Sequence, residues 1–205
     1  MIGPKEKKER RLGEHLHLKG ERCNSPKCAM IRKPYPPGVH GKKRQRKNLS
    51  EFALQLREKQ KFKISYGLDE RGLARLFRKA RKETGSTALT LLELLERRLD
   101  NVVFRLGITS SRLTARQEVV HGHILVNQKR VRSPGLLLKV GAVVGIREES
   151  KPKTVFRELR EKLKSYEPPS WLHFDIENLE GRVIDLPKDL KPAFEINLLI
   201  ESFSK

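Results

Sequence analysis

The sequence predicts an α+β protein: a layer of leucine-faced helices, a short basic helix leading into a β-hairpin and further strands, and an extended basic arm ahead of both. Three observations predict it. Leucines recur at three- and four-residue spacing up to residue 106, β-branched runs separated by polar tips follow, and the first 48 residues show little periodicity but much Pro, Gly, Lys and Arg.

The elements follow in order. Ser50 is a plausible cap for a first helix, in which Phe52 and Leu56 sit four apart, and Gly67 follows its last turn. A second helix starts at Asp69, carries Leu73, Leu76, Phe77 and Ala80 at helical spacing, and ends before Gly85. The third has the strongest pattern: Leu92, Leu95, Leu99, Val102 and Leu106 recur at three and four residues, Glu93 precedes Arg97 by four, and Gly107 closes it. A basic helix comes next, capped by Ser110 or Ser111 and closed by Gly122. Leu113 and Val120 lie on one of its faces and Ala115 and Val119 on another, while Arg112 and Arg116, one turn apart, point the same way. Residues 123–126 and 130–131 are β-favouring and flank a polar tip of Asn127, Gln128 and Lys129, which reads as a hairpin. Residues 142–146 give a further strand, and Thr154 can cap a helix carrying Val155, Leu159 and Leu163. Residues 172–176 and 182–186 are strand-like. The tail is ambiguous: alternating Phe194, Ile196, Leu198 and Ile200 fit a strand, whereas Phe194, Leu198 and Glu201 fit a helix.

Charge narrows the function. The net charge is +20 and the pI near 10.3, values that call for a polyanionic partner. Residues 1–50 hold 15 Lys+Arg against 4 Asp+Glu, residues 51–150 hold 20 against 11, and residues 151–205 hold 10 against 10, so the anion meets the first three quarters of the chain. In the arm, Tyr35 and His40 interleave with Arg32, Lys33, Lys42, Lys43, Arg44 and Arg46, a pattern for stacking on bases or sugars while cations hold phosphates. The arm cannot bury enough apolar surface to fold alone, so it is expected to order on its partner. On the helix and hairpin, His121, His123, Lys129, Arg130 and Arg132 are expected to cluster beside Arg112 and Arg116, a surface suited to structured RNA. The competing reading of any such charge run is a solvated face.

Other classes find little support. No apolar run approaches the roughly 20 residues of a membrane helix. Glu6, Glu9 and Glu14 argue against a transit peptide, and two cysteines do not make a disulfide scaffold, so a reducing cytoplasm is the expected location. No P-loop, dinucleotide-type glycine pattern or Ser-His-Asp set marks an enzyme.

Five blocks carry a resemblance: LKGERCNSPKCA (18–29), RKPYPPGVHG (32–41), LREKQK (56–61), LLERRLDNVVFRLG (94–107) and the SR…ARQ…HGHILVN core (111–127). In this order they resemble the S-four family of small-subunit ribosomal proteins over essentially the whole chain. The resemblance implies a helical domain with an inserted RNA-binding domain of short helices plus a hairpin sheet, and a tail that returns to the helical domain, which favours a helix there. The expected division is a basic arm (1–48), a helical domain (49–96), the RNA-binding domain (97–160), and C-terminal strands and tail packing back on the helical domain (161–205). The resemblance also implies direct binding of small-subunit ribosomal RNA at a multi-helix junction early in assembly of the body. It further implies a contact with ribosomal protein S-five that affects decoding accuracy, and, in some members, repression of the protein's own messenger RNA. The location implied is the small subunit, in the cytoplasm or an organelle. The residues assigned to RNA are Arg22, Lys27, Arg32, Lys33, Tyr35, His40, Arg44, Lys47, Arg57, Lys59, Lys61, Arg112, Arg116, His121, His123, Lys129, Arg130 and Arg132.

Departures from the family bear on metal and enzyme readings. Relatives often carry four N-terminal cysteines, a set suited to tetrahedral zinc. Here only Cys23 and Cys28 stand, with Glu6 and Glu9 at the other two positions, so no cofactor is expected, and His15 and His17 would diverge from any shared site. The hairpin tip reads Asn-Gln where many relatives have Asn-Gly, and Thr114 leaves the capping box incomplete. Arg98, Leu99 and Asp100 are similar to the catalytic triplet of pseudouridine synthases, but lie inside the third helix without a catalytic domain around them, so a structural role for Asp100 is expected. A stand-alone S-four-type RNA chaperone, or an accessory to an RNA-modifying enzyme, is the alternative reading.

Overall fold

A computed structural model describes residues 4–42, 49–152, 156, 158–188 and 194–204. In chain order its elements are α1 (Lys5–Leu12), a 3-10 turn (Gly20–Asn24), α2 (Ala29–Arg32), α3 (Glu51–Ser65), α4 (Glu70–Lys82), α5 (Thr87–Glu96), α6 (Leu99–Arg105) and α7 (Arg112–His121). Then come β1 (Ile124–Val126), β2 (Lys129–Arg130), β3 (Val143–Ile146), a second 3-10 turn (Glu148–Ser150), α8 (Leu159–Leu163), β4 (Leu172–Asp175), β5 (Glu180–Val183) and α9 (Ile196–Ser204). The chain divides into two compact units, residues 1–91 with 191–205 and residues 92–190, the division falling within α5.

The first unit is helical. Ser50 caps α3 by accepting from the Ala53 amide at 3.3 Å, and Asp69 caps α4 by accepting from Gly72 at 2.7 Å. Leu73, Phe77 and Ala80 turn inward from α4 as their spacing predicts. In α3 the expectation fails: Phe52 and Leu56 face outward, at 66% and 44% exposure, and the buried face carries Gln55, Glu58, Lys61 and Phe62 instead. The tail is the reason. It forms a helix, α9, and lies along α3, where Gln55 donates to Glu201 at 3.1 Å, Glu58 accepts from the Glu195 amide at 3.3 Å, and Phe62 meets Phe194 edge to face. Phe77 of α4 stacks on Phe203, centroids 4.6 Å apart.

The arm carries more local structure than its composition predicts. Gly13, in the left-handed region, closes α1 by donating to the Glu9 carbonyl. Arg10 then latches the following chain, its Nε donating to the carbonyls of Lys33 at 2.9 Å and Tyr35 at 3.0 Å. Leu12, Leu16, Leu18, Cys23 and Cys28 are buried together with Glu9 in this unit. Small apolar surface is thus supplemented by side-chain bonds to loop backbone.

The second unit is an antiparallel sheet in the order β2-β1-β3-β5-β4, covered by α6, α7 and α8 over one core that includes Leu99, Val102, Leu106, Val119, Ile124, Val144 and Trp171. The strands expected to pack on the helical domain belong here: β3 joins the hairpin to β5, so they complete the sheet, and only the tail returns to the first unit. Gly181 on β5 lets α6 approach closely, since a Cβ there would stand 2.4 Å from Leu106. After Lys151, Phe156 is helical and α8 follows from Leu159; Thr154 and Val155 lie outside the described residues.

The predicted third helix is two. Arg98 is extended (φ −65, ψ 139), and the segment around residues 134–138 pairs across the break: the Leu99 amide donates to Leu136 at 2.8 Å, Asp100 to Pro134 at 3.1 Å, and Leu138 to Arg97 at 2.9 Å. Leucine spacing runs unbroken through this corner, which is why periodicity alone conceals it.

Candidate nucleic-acid interface

The corner between α5 and α6 buries two carboxylates, Glu96 and Asp100, and with them Arg98. Buried charge is costly unless paired and hydrogen-bonded. Each carboxylate here is fully engaged. Arg98 grips Asp100 through two bonds of 3.0 and 2.5 Å, and Arg116 reaches the same carboxylate at 3.2 Å. Glu96 accepts Arg105 through bonds of 2.8 and 3.1 Å and the Asn101 amide at 2.8 Å, while Asn101 also donates to the Glu96 carbonyl at the end of α5. The Asn101 carbonyl oxygen takes Arg112 Nε at 2.7 Å, and the Arg112 guanidinium lies 4.7 Å over the Phe104 ring. Four guanidiniums thus meet two carboxylates. Arg98 is buried, whereas the side chains of Arg105, Arg112 and Arg116 are partly exposed. They form a fan of cations held in orientation by Glu96, Asp100 and Asn101.

The basic helix is built as its sequence predicts. Ser111 is the cap, its Oγ accepting from the Thr114 amide at 3.2 Å, and its hydroxyl pairs with that of Thr114 at 2.9 Å, which fills part of the missing box. Ala115 and Val119 take the core face; Leu113 is half-buried and Val120 exposed. The far end is closed by Gly122 at φ 76 and by Arg130, whose guanidinium donates to the carbonyls of Gly122 at 3.1 Å and His121 at 3.2 Å. Arg130 therefore caps the helix and offsets its negative end, a role that spacing did not reveal. His123 is also held internally, with Nδ1 3.0 Å from Ser150 Oγ. His121, Lys129 and Arg132 are exposed. Arg112 and His121 stand about 14 Å apart along the helix at about 1.5 Å per residue. Arg116 lies between them, about 7.5 Å from His121 along the axis.

In the first unit, Lys7, Arg10, Arg22, Lys27, Arg32 and Lys33 line a cleft of about 290 Å³ that also contains Glu6. Four of these were expected from sequence; Lys7 and Arg10 were missed because they sit on α1, ahead of the Pro- and Gly-rich stretch. Arg22 is drawn to Glu6 at 2.9 Å, and although burial works to raise the Glu6 pKa, the bond from Arg22 and the charges of Lys19 and Arg22 bring it below its ordinary value. Tyr35 carries the Arg10 and Lys42 cations near its ring, at 5.0 and 5.6 Å, and His40 is exposed. Arg44 and Lys47 lie outside the described residues.

Arg57, Lys59 and Lys61 are placed differently from expectation. Lys61 is 7% exposed, its ammonium between Glu14 and Glu58. Arg57 donates to the Leu12 carbonyl at 2.6 Å and pairs with Glu14, and Lys59 pairs with Glu70 at 2.6 Å over the Phe203 ring. All three hold the helical unit together.

The four positions of the metal set lie near one another, and three of them are engaged by other groups. Glu6 turns to Arg22 and Lys19, one oxygen of Glu9 is occupied by backbone amides, and Cys23 Sγ accepts from the Lys19 amide at 3.4 Å. Burial raises the Cys23 pKa, which favours the thiol over the thiolate that a metal requires. His15 and His17 are exposed, and their rings do not diverge as expected but lie 5.6 Å apart, centroid to centroid. Among the described residues no three His, Cys, Asp or Glu side chains form a metal-binding group.

A short basic helix and a hairpin on a small antiparallel sheet, in a chain that also carries a helical unit, define the S4-domain class, and the comparisons agree. The chain matches the ribosomal protein S4/S9 N-terminal domain over residues 1–96 and the S4 domain over residues 97–144. It is 50% identical to small ribosomal subunit protein uS4 of Caldicellulosiruptor bescii and 46% identical to that of Thermus thermophilus, in each case over 100% of this chain and 98% of the relative. The Heliobacterium modesticaldum protein of the same name is 46% identical over 96% of this chain and 94% of its own length. The chain belongs to the small ribosomal subunit protein uS4 family. Among the described residues no helix is long and apolar enough to cross a membrane.

Proposed function

We propose that this chain is a structural, non-catalytic constituent of the small ribosomal subunit, in the cytoplasm, that binds small-subunit ribosomal RNA directly at a multi-helix junction and nucleates assembly of the body. The observation that carries the reading is the fan of Arg105, Arg112 and Arg116, held by buried Glu96 and Asp100. A fan of fixed guanidiniums suits phosphates whose positions are set by folded RNA, since an A-form major groove is too deep and narrow for side chains to read bases. The basic cleft of the arm supplies a second hold. Asp100 lies in buried ion pairs, as a structural residue does, not open to a substrate. Contact with ribosomal protein S-five, an influence on decoding accuracy through it, and repression of its own messenger belong to the same reading by family resemblance. Co-sedimentation with small subunits through a high-salt wash tests it: a core constituent stays bound, and a chain that washes off completely is an accessory chaperone instead.

A further inference from the structure

Glu9 is an acidic residue with no exposed surface, inside one of the most basic stretches of the chain. Its Oε1 accepts from the Leu16 amide at 3.1 Å and from the Leu18 amide at 3.1 Å, while Oε2 is buried without a hydrogen-bond partner. The backbone between these amides is bent to serve the carboxylate: His17 takes a left-handed φ of 51, which L-residues adopt reluctantly. Leu12, Leu16 and Leu18 are buried here, so the two amides are sheltered from water and would lack partners without Glu9. The loop from Gly13 to Lys19 is thereby tied to α1, and the Lys19 amide continues the tie to Cys23 Sγ at 3.4 Å.

We infer that the Glu9 carboxylate replaces a structural metal in this chain, cross-linking α1 to the loop of residues 16–18 by two charge-assisted hydrogen bonds, so that the arm folds without zinc. A tetrahedral centre needs four converging donors. Here three of the four members are engaged elsewhere: Glu6 by Arg22 and Lys19, Glu9 Oε1 by two amides, and Cys23 by the Lys19 amide, which leaves Cys28 alone of the set. What remains of the site is its cross-linking role, transferred from a cation joining four side chains to an anion joining two backbone donors. A carboxylate is suited to this because an ionised oxygen can accept more than one amide, each bond stronger than its neutral counterpart.

The test uses the full chain. Zinc content of the purified protein is measured by elemental analysis, and hydrogen exchange at the Leu16 and Leu18 amides is followed with and without a strong chelator. The expected results are less than a tenth of an equivalent of zinc, protection at both amides unaffected by the chelator, and protection lowered at least tenfold in Glu9→Ala, with Glu9→Gln in between because its carbonyl still accepts. About one equivalent of zinc, or loss of protection on chelation, overturns the inference even if Glu9→Ala fails to fold; so does unchanged protection in a folded Glu9→Ala. None of these readouts involves RNA, so their failure is distinct from failure of the RNA-binding reading.

Discussion

At the residue scale, Asp100 anchors the corner between α5 and α6, held by Arg98 at 3.0 and 2.5 Å and by Arg116 at 3.2 Å. Ser111 and Gly122 were readable as the ends of α7 because a cap needs only its own neighbours. Asp100 was expected in a structural role accepting from a nearby arginine, but on a helix surface; it is buried at a corner, because residues 134–138 close over it, a pairing that periodicity cannot register. Replacing Asp100 by Asn keeps the shape and removes the charge that Arg98 and Arg116 share, so it is expected to destabilise the chain by roughly 3–5 kcal/mol, as when one partner of a buried ion pair is removed; urea unfolding measures this, and a loss under about 1 kcal/mol would refute it. The hairpin tip gives a prediction of opposite sign. Asn127 and Gln128 have φ of 47 and 63, the positive values a primed turn demands even though Gln replaces the favourable Gly. Gln128→Gly should therefore stabilise by about 0.5–1 kcal/mol, seen as a raised thermal midpoint.

At the element scale, α4 and the hairpin matched their patterns, whereas the third helix proved to be two and α3 reversed its face. Both failures have one cause: a partner distant in sequence, the 134–138 segment in one case and α9 in the other, supplies interactions that outweigh the local apolar pattern. The link between α3 and α4 is partly ionic, Lys59 and Lys63 reaching Glu70 at 2.6 and 3.2 Å. Burial works to raise the Glu70 pKa, but the bonds and charges of the two lysines outweigh it and the net shift is downward. Because the folded value lies below the unfolded one, the stabilisation is complete above the ordinary Glu range of about 4.3 and is lost as pH falls through the lowered value. Glu70→Gln should accordingly lower the thermal midpoint at neutral pH and converge with the unmodified chain in acid; a gap that persists in acid would contradict the ionic origin.

For the whole molecule, charge distribution and motif order pointed to a ribosomal RNA binder, and family membership agrees with that direction. Composition misled only about the arm, where Glu9 and Arg10 tie backbone that too few apolar residues cover; such bonds leave no periodic trace. The candidate site was half legible: Arg112 and Arg116 stood out by their spacing and Asp100 as an acceptor for a nearby arginine, while Arg105 and Glu96 did not. The most direct test is the affinity of the full chain for the small-subunit ribosomal RNA junction across a salt series, comparing the unmodified chain with R112E/R116E, with folding checked by thermal midpoint. If both arginines hold phosphates, the variant binds more weakly at every salt concentration, and the slope of log affinity against log salt becomes shallower by about 1.4–1.8, at roughly 0.7–0.9 for each phosphate no longer neutralised. A folded variant with unchanged affinity and slope would contradict the assignment.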